Sequence, residues 1–225
     1  MCGIIGTTNL DLPIEFLKKG LTLMDKRGPD NNNLFNDGVV HFGHTRLAIL
    51  DLEERSNQPF EYSHKNKCIL LTFNGEIYNY LELRKELLIL GYKFKTNSDT
   101  EVVAASFIEW GASCFNYFIG MWALAVKFES KLILSRDRVG KKPLYYSTSM
   151  KNEISFSSSI KALSIITGDK DISKDGLELY FALGFIPKNH TILRNIFKIE
   201  PGQVKVFSKK DNGFILTEST ISKLI

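Results

Sequence analysis

Met1-Cys2-Gly3-Ile4-Ile5-Gly6 puts a thiol one residue from the start of the sequence, directly ahead of branched apolar residues that read as a buried strand. Methionine is commonly removed when a small residue follows it, and removal here leaves Cys2 with a free α-amino group beside its own side chain. An α-amine of ordinary pKa, about 7.7–8.0, is partly unprotonated near neutral pH and can accept the thiol proton. Nucleophile and base then share one residue, as in N-terminal threonine hydrolases. The plainer reading makes Cys2 a small half-buried hydrophobe. Cys2-Gly3-Ile4 alone does not separate the two readings.

The bulk composition narrows the field. A chain of 225 residues, 44% hydrophobic, with 16 Phe and 8 Tyr, can bury a substantial core as one large domain or one domain plus a tail. Its 29 basic and 25 acidic residues are interspersed, without the basic block of a nucleic-acid binder, so no nucleic acid partner is expected. Cys2, Cys68 and Cys114 form no C-x-x-C pair, which argues against a metal site and fits a reducing, cytoplasmic setting. Asp11 and Glu15 stand where a secretory signal needs a basic start and an unbroken apolar run. The longest uncharged stretch, Trp110 to Val126, is broken by Gly111, Ser113, Asn116 and Gly120, so no membrane span is expected.

Along the chain, short β-rich runs alternate with helical patterns and no repeat appears, which predicts an α+β or layered α/β domain. Pro13 opens a helix with Ile14, Leu17, Leu21 and Met24 on one face, ended by the turn Arg27-Gly28-Pro29-Asp30. Val39 to Phe42, Leu47 to Leu50 and Cys68 to Phe73 read as strands, the last running into the hairpin signal Asn74-Gly75. Leu81 to Leu90 reads as a helix stopped by Gly91, and Ser98-Asp99-Thr100-Glu101 as a capping box opening a helix to Trp110. Met121 to Phe128 and Leu132 to Leu134 predict a hairpin, Tyr145-Tyr146 and Ile154 to Phe156 two strands, Ser159 to Ile166 and Ser173 to Leu183 two helices. Gln203 to Phe207 predicts a last strand before a polar turn over Ser208 to Gly213.

Four segments in order carry the chemistry: Cys2-Gly3-Ile4; Gly43-His44-Thr45-Arg46-Leu47-Ala48-Ile49; Asn74-Gly75-Glu76-Ile77-Tyr78-Asn79; and Ser98-Asp99-Thr100-Glu101. Together with Arg27-Gly28-Pro29-Asp30 and Arg136-Asp137-Arg138-Val139-Gly140-Lys141-Lys142-Pro143-Leu144-Tyr145-Tyr146, this set resembles the glutamine-hydrolysing domain of class II amidotransferases. The wording Arg-Leu-Ala-Ile and Asn-Gly-Glu-Ile-Tyr-Asn is most similar to that of glutamine-dependent asparagine synthetases. The resemblance runs from Met1 to about Phe207. It implies an α+β fold, a four-layer α-β-β-α sandwich of the N-terminal nucleophile hydrolase type, over residues 2–207, with 208–225 as a tail or the start of a linker.

It also implies residue roles that suit glutamine, which offers an amide to cleave, an α-carboxylate and an α-ammonium. Cys2 is the expected nucleophile, forming a thioester while its α-amine carries the proton. Asn74 through its side-chain amide and Gly75 through its backbone N–H are the expected oxyanion hole. Arg46 is expected to grip the α-carboxylate and Asp99 the ammonium, with Glu76 in the same pocket and Leu47, Ala48, Ile49 and Leu50 as its backbone wall. Each has a plainer reading: a turn for Asn74-Gly75, a solvated surface residue for Arg46, a helix cap for Ser98 and Asp99. A Cys2–His44 dyad is the lesser alternative, because a base is already present at the terminus. Gly140-Lys141 lacks the spacing of a phosphate loop, so Arg136 to Tyr146 is read as packing and shaping the domain, or as facing a partner domain.

In full-length members a synthetase (ATP-pyrophosphatase) domain follows, with a Ser-Gly-Gly-x-Asp-Ser loop that uses ATP and Mg²⁺ to adenylate aspartate. That motif does not occur in this sequence. The expectation is therefore a glutaminase that needs no cofactor of its own, takes glutamine, and supplies ammonia to a synthetase domain in the same or another chain. The chain itself is a fragment, a truncated product or a stand-alone glutaminase, and a homodimer is compatible with the family. A non-catalytic module that binds glutamine or a partner protein is the main alternative, and an amide hydrolase for another substrate the third.

Overall fold

Ile4 and Ile5 are both fully buried but face opposite ways, as neighbours on a strand must. Ile4 enters one apolar cluster with Phe42, Leu70, Ala125, Leu134 and Phe156, and Ile5 another with Leu17, Leu21, Met24, Leu163 and Ile166. A strand covered on both faces is an inner layer, and the layers follow from it.

The computed structural model describes residues 1–221. Its elements are β1 (Gly3–Thr7), α1 (Ile14–Thr22), β2 (Asn31–Asn36), β3 (His41–Arg46), β4 (Phe60–His64), β5 (Lys67–Ile77), α2 (Tyr80–Ile89), α3 (Asp99–Trp110), β6 (Gly120–Phe128), β7 (Lys131–Arg136), β8 (Tyr145–Thr148), β9 (Ile154–Ser157), α4 (Ile160–Thr167), α5 (Lys174–Leu183), β10 (Phe197–Lys198), β11 (Gln203–Lys210) and β12 (Gly213–Ile221). One sheet has the order β10-β8-β9-β1-β3-β2 and the other β12-β11-β7-β6-β5-β4, every pairing being antiparallel.

Ile4, Phe42 and Phe156 meet Leu70, Ala123 and Phe207 between the sheets. Leu17 and Leu21 of α1 and Leu163 of α4 cover the outer face of the first sheet, while Leu83 of α2 and Val102 and Phe107 of α3 cover that of the second. The result is the α-β-β-α sandwich. Gathering four layers of apolar side chains into three contiguous clusters is the main source of stability in such a fold. No helix among the described residues is long and apolar enough to cross a membrane.

Several local expectations need correction. Leu47 to Leu50 is not a strand: pairing with β2 stops at Asn31↔Arg46, and the Arg46 guanidinium draws in the carbonyls of Leu50, Asp51 and Glu53, turning the backbone away from the sheet. Asn74-Gly75 makes no hairpin, because β5 runs straight through it, opposite Ala123 and Trp122 of β6. Long-range pairing here outweighs a local turn preference. The three asparagines that open β2 hide a strand that propensity disfavours and pairing with β3 enforces.

Ser98 caps α3 by accepting from the Glu101 N–H, but the Glu101 carboxylate bonds Lys95 N, Thr96 N and Thr96 Oγ1 rather than completing a capping box. Beyond Phe207 the polar turn begins later than expected: β11 runs to Lys210 and β12 returns beside it as far as Ile221. Residues 208–221, expected as tail or linker, thus hydrogen-bond into the second sheet. The end of that stretch, 222–225, lies outside the described residues.

Candidate active site

β1 and β3 of the first sheet and β5 of the second bring their ends to one cavity of about 190 Å³, below the ~300–1,000 Å³ of drug-sized sites and suited to an amino acid. Cys2, Arg46, Leu47, Ile49, Leu50, Asn74, Gly75, Glu76 and Asp99 all line it. Ala48 does not; its N–H instead bonds Asp30 Oδ2 at 2.8 Å, fixing the turn Arg27 to Asp30 against the pocket wall.

Cys2 is half-buried just before β1. The Leu47 N–H donates to its Sγ at 3.4 Å, and Arg27 Nε holds its carbonyl at 3.2 Å. Burial pushes the thiol pKa up; the Leu47 amide, the terminal ammonium and Lys142 pull it down, and Glu76 raises it further. The Cys2 backbone nitrogen lies beside the sulfur within the same residue, while His44 is not placed to exchange a proton with it. The His44 ring is fully buried, Nε2 meets Phe73 O at 3.2 Å, and burial, helped by the Arg46 charge, lowers its pKa to about 3. It is a neutral strut between the sheets.

On β5 the side chains alternate. Asn74 is 1% exposed, and its Nδ2 is buried with no hydrogen-bond acceptor, an arrangement normally costly enough to call for an explanation. Gly75 lies opposite Trp122, whose own N–H and carbonyl are turned to Asp137. The Gly75 N–H therefore points away from β6. Two residues either way on the same strand edge, Phe73 N meets Gln58 Oε1 at 2.6 Å and Ile77 N meets Asp99 Oδ2 at 2.9 Å; Gly75 N faces the cavity between them. A Cβ at Gly75 would sit 2.2 Å from Met121 O and 2.5 Å from the Phe73 ring, so only glycine allows the sheet to close here. Two N–H donors thus look onto the cavity that holds the sulfur.

Charge is divided across the cavity. Asp99, 5% exposed at the start of α3, has its pKa raised to about 7 by burial first and by the neighbouring Glu76 second, against the opposing Ile77 hydrogen bond. Glu76 is itself raised by burial and steadied by Lys142. Two carboxyls in one desolvated place favour a cation between them. Arg46 gives its Nη1 hydrogens to Glu53 O and Asn57 Oδ1 and its Nη2 hydrogens to Leu50 O and Asp51 O, which corrects the expectation that its fork grips a carboxylate: it braces the wall Leu47 to Leu50 and sets a fixed positive charge behind it.

Three contributors were not foreseen from sequence. Lys142 lines the cavity, so Arg136 to Tyr146, read as packing and shaping the domain or as facing a partner domain, also reaches the site. Gln58 ties β5 to α3 through Phe73 N and Thr100 Oγ1, and Ser56 presents a buried hydroxyl without a partner. For Lys142 the signal was the long charged motif itself. For Gln58 and Ser56, in an irregular loop, there was none.

Residues 1–217 match the family model for a glutamine amidotransferase domain. The chain belongs to the glutamine amidotransferase domain family. Among curated relatives, asparagine synthetase [glutamine-hydrolyzing] 1 of Bacillus subtilis is 37% identical over 211 residues, 90% of this chain and 33% of the relative. Asparagine synthetase [glutamine-hydrolyzing] 3 of the same organism is 37% identical over 217 residues, 93% of this chain and 35% of the relative. A Methanocaldococcus jannaschii protein, provisionally named asparagine synthetase [glutamine-hydrolyzing] 2, is 38% identical over 232 residues, 92% of this chain and 44% of its own. The chain thus spans a third to under half of the length of these three relatives.

Its fold is that of glutamine phosphoribosylpyrophosphate amidotransferase from B. subtilis, with a TM-score of 0.71 over 96% of this chain and 49% of that one at 19% identity. That likeness shows the shared fold, the α-β-β-α sandwich.

Proposed function

We propose that this domain hydrolyses glutamine to glutamate and ammonia through a Cys2 thioester, and that the ammonia serves ATP-dependent synthesis of asparagine from aspartate. The observation that carries the reading is the Asn74 Nδ2, buried without an acceptor in the wall of the cavity that holds Cys2 Sγ. A tetrahedral oxyanion is the acceptor it lacks.

The steps follow from the residues present. With Met1 removed, the Cys2 α-amine takes the thiol proton and sulfur attacks the γ-carboxamide carbon. The electron pair moves to the carbonyl oxygen, which meets Asn74 Nδ2 and Gly75 N–H. Collapse breaks the C–N bond, the amine returns the proton, ammonia leaves, and water then cleaves the thioester. In this scheme the α-ammonium lies at Asp99 and Glu76, and the α-carboxylate faces Arg46 and the wall from Leu47 to Leu50.

ATP, Mg²⁺ and aspartate belong, in this reading, to a synthetase domain like those the relatives' names describe, in the same or another chain of a cytoplasmic protein. The test is glutamate and ammonia release from glutamine by the purified domain, with intact mass reporting loss of Met1 and Cys2→Ala as control. Turnover abolished in Cys2→Ala is the expected result. Turnover that persists in Cys2→Ala, or glutamine bound and never cleaved by protein lacking Met1, overturns the proposal.

A further inference from the structure

Lys142 is only 6% exposed, yet its hydrogen bonds are made by its backbone. The ion pairs of the described residues belong to Lys18, Arg55, Lys127, Lys174 and Arg194, and Lys142 is in none of them. A lysine ammonium withdrawn from water is ordinarily matched by a fixed carboxylate. Here Lys142 lines the cavity shared with Cys2 and Glu76, and it interacts with the Glu76 carboxyl across that cavity without a direct ion pair.

The backbone around it is unusually well fixed. Asp137, fully buried, collects the N–H groups of Trp122 and Lys142 on Oδ2 and those of Val139 and Lys141 on Oδ1. Arg136 returns Nε to the Lys142 carbonyl at 2.7 Å and Nη2 to the Gly140 carbonyl at 2.6 Å. Gly140 has φ +67°, a conformation that turns the chain back, and Pro143 keeps Lys142 extended. Asp137, Arg136, Gly140 and Pro143 thus fix the backbone of one lysine at the pocket, where Cys2 and Glu76 are the groups its charge acts on.

We propose that Lys142 is the standing counter-charge of the Cys2 thiolate, a positioned cation that makes the sulfur nucleophilic and steadies negative charge as it passes from sulfur to the carbonyl oxygen. Its own proton does not move; the thiol proton travels to the Cys2 α-amine and leaves with ammonia as described above. The substrate in this statement rests on the glutamine-hydrolysing reading, but the effect on the thiol does not. Mutual electrostatics agree: Lys142 draws the Cys2 thiol down, while Cys2 and Glu76 hold the lysine's charge against burial. The other groups facing the sulfur are the terminal amine, the Leu47 amide, Glu76 and, across the cavity, Asp99 and Arg46, with Arg27 held on the Cys2 carbonyl.

The test is the pH dependence of Cys2 alkylation by iodoacetamide, read on the Cys2 peptide by mass spectrometry because Cys68 is also exposed. Lys142→Met is expected to raise the apparent thiol pKa by about one unit, roughly a tenfold loss of reactivity below that pKa. Lys142→Arg should restore most of it, and Lys141→Met, on the exposed neighbour, should change nothing. Glutamine turnover in Lys142→Met should fall about tenfold at neutral pH and recover as pH rises, with KM little changed. Should the methionine variant fail to fold, Lys142→Gln gives the same readout with a hydrated side chain. An alkylation profile unchanged in the folded neutral variant refutes the proposal. Absent glutamine turnover in the unsubstituted protein would sink the proposed function and leave the alkylation test standing, so the two fail separately.

Discussion

Replacing Asn74 by alanine removes an N–H that has no protein acceptor in the resting domain, so the substitution breaks no ground-state hydrogen bond at Nδ2. Its cost should therefore appear in the transition state. One preorganised oxyanion donor is worth about 2.7–4 kcal/mol, which corresponds to a fall in kcat of roughly 10²–10³-fold. Asn74 is 1% exposed and packed between the sheets, so the lost side-chain contacts should cost on the order of 1 kcal/mol of stability. KM should stay within about threefold, because in this reading the α-ammonium is held by Asp99 and Glu76 rather than by the Asn74 amide. The assay is steady-state ammonia release beside urea unfolding of the same preparation. Asn74→Asp, which turns a donor toward an acceptor, should be at least as inactive. A kcat within about tenfold of the parent would refute the oxyanion assignment, as would a loss of activity that tracks unfolding.

Asp99, with a pKa of about 7 against an ordinary value of 3.8, should bind the substrate ammonium better as pH rises through 7 and it ionises. Asp99→Asn should raise KM and flatten that dependence, as measured by KM across pH. The same shift has a stability sign: a carboxyl whose folded pKa is raised costs stability progressively between its unfolded and folded pKa values, fully above 7. Asp99→Asn should therefore raise the melting temperature above pH 7 and lose that advantage in acid, which thermal melts across pH can check. Glu101, 2% exposed, accepts from Lys95 N, Thr96 N and Thr96 Oγ1; Glu101→Ala should destabilise by about 3–5 kcal/mol in urea, since it orphans several buried donors at once. Gly75→Ala would press a methyl against the Met121 carbonyl. Overpacking of sheet backbone should cost about 3 kcal/mol or more, and a normal unfolding midpoint would contradict the geometry of β5.

The sequence made the layers visible where one residue type answers to one force. Ile4 and Ile5, the strand Cys68 to Phe73, and the helix starts at Ser98, Ser159 and Ser173 are read locally and recur in the structure. It misled where a distant partner decides. Asn74-Gly75 looks like a turn until β6 supplies its pairing, and the asparagines of β2 look like a loop until β3 lies beside them. Leu47 to Leu50 has the composition of a strand, but its carbonyls are taken by an arginine side chain rather than a neighbouring strand. The cavity residues expected from family resemblance nearly all meet there. Lys142 escaped because its approach depends on Asp137, Arg136 and a left-handed Gly140, a tertiary arrangement that spacing along the chain does not encode.

β1, which follows Cys2 directly, pairs with His41–Thr45 on one side and with Ser155–Ser157 on the other. A ribosome makes the first of these strands long before the last, and a segment held in the middle of a sheet cannot be enclosed until its second neighbour exists. During that interval Ile4 and Ile5 remain open to water, whereas Met1, 54% exposed in the finished fold, stays within reach of an aminopeptidase throughout. Trimming of Met1 therefore does not have to outrun closure of the sheet, and slowing translation between Thr45 and Ser155 should leave the trimmed fraction unchanged.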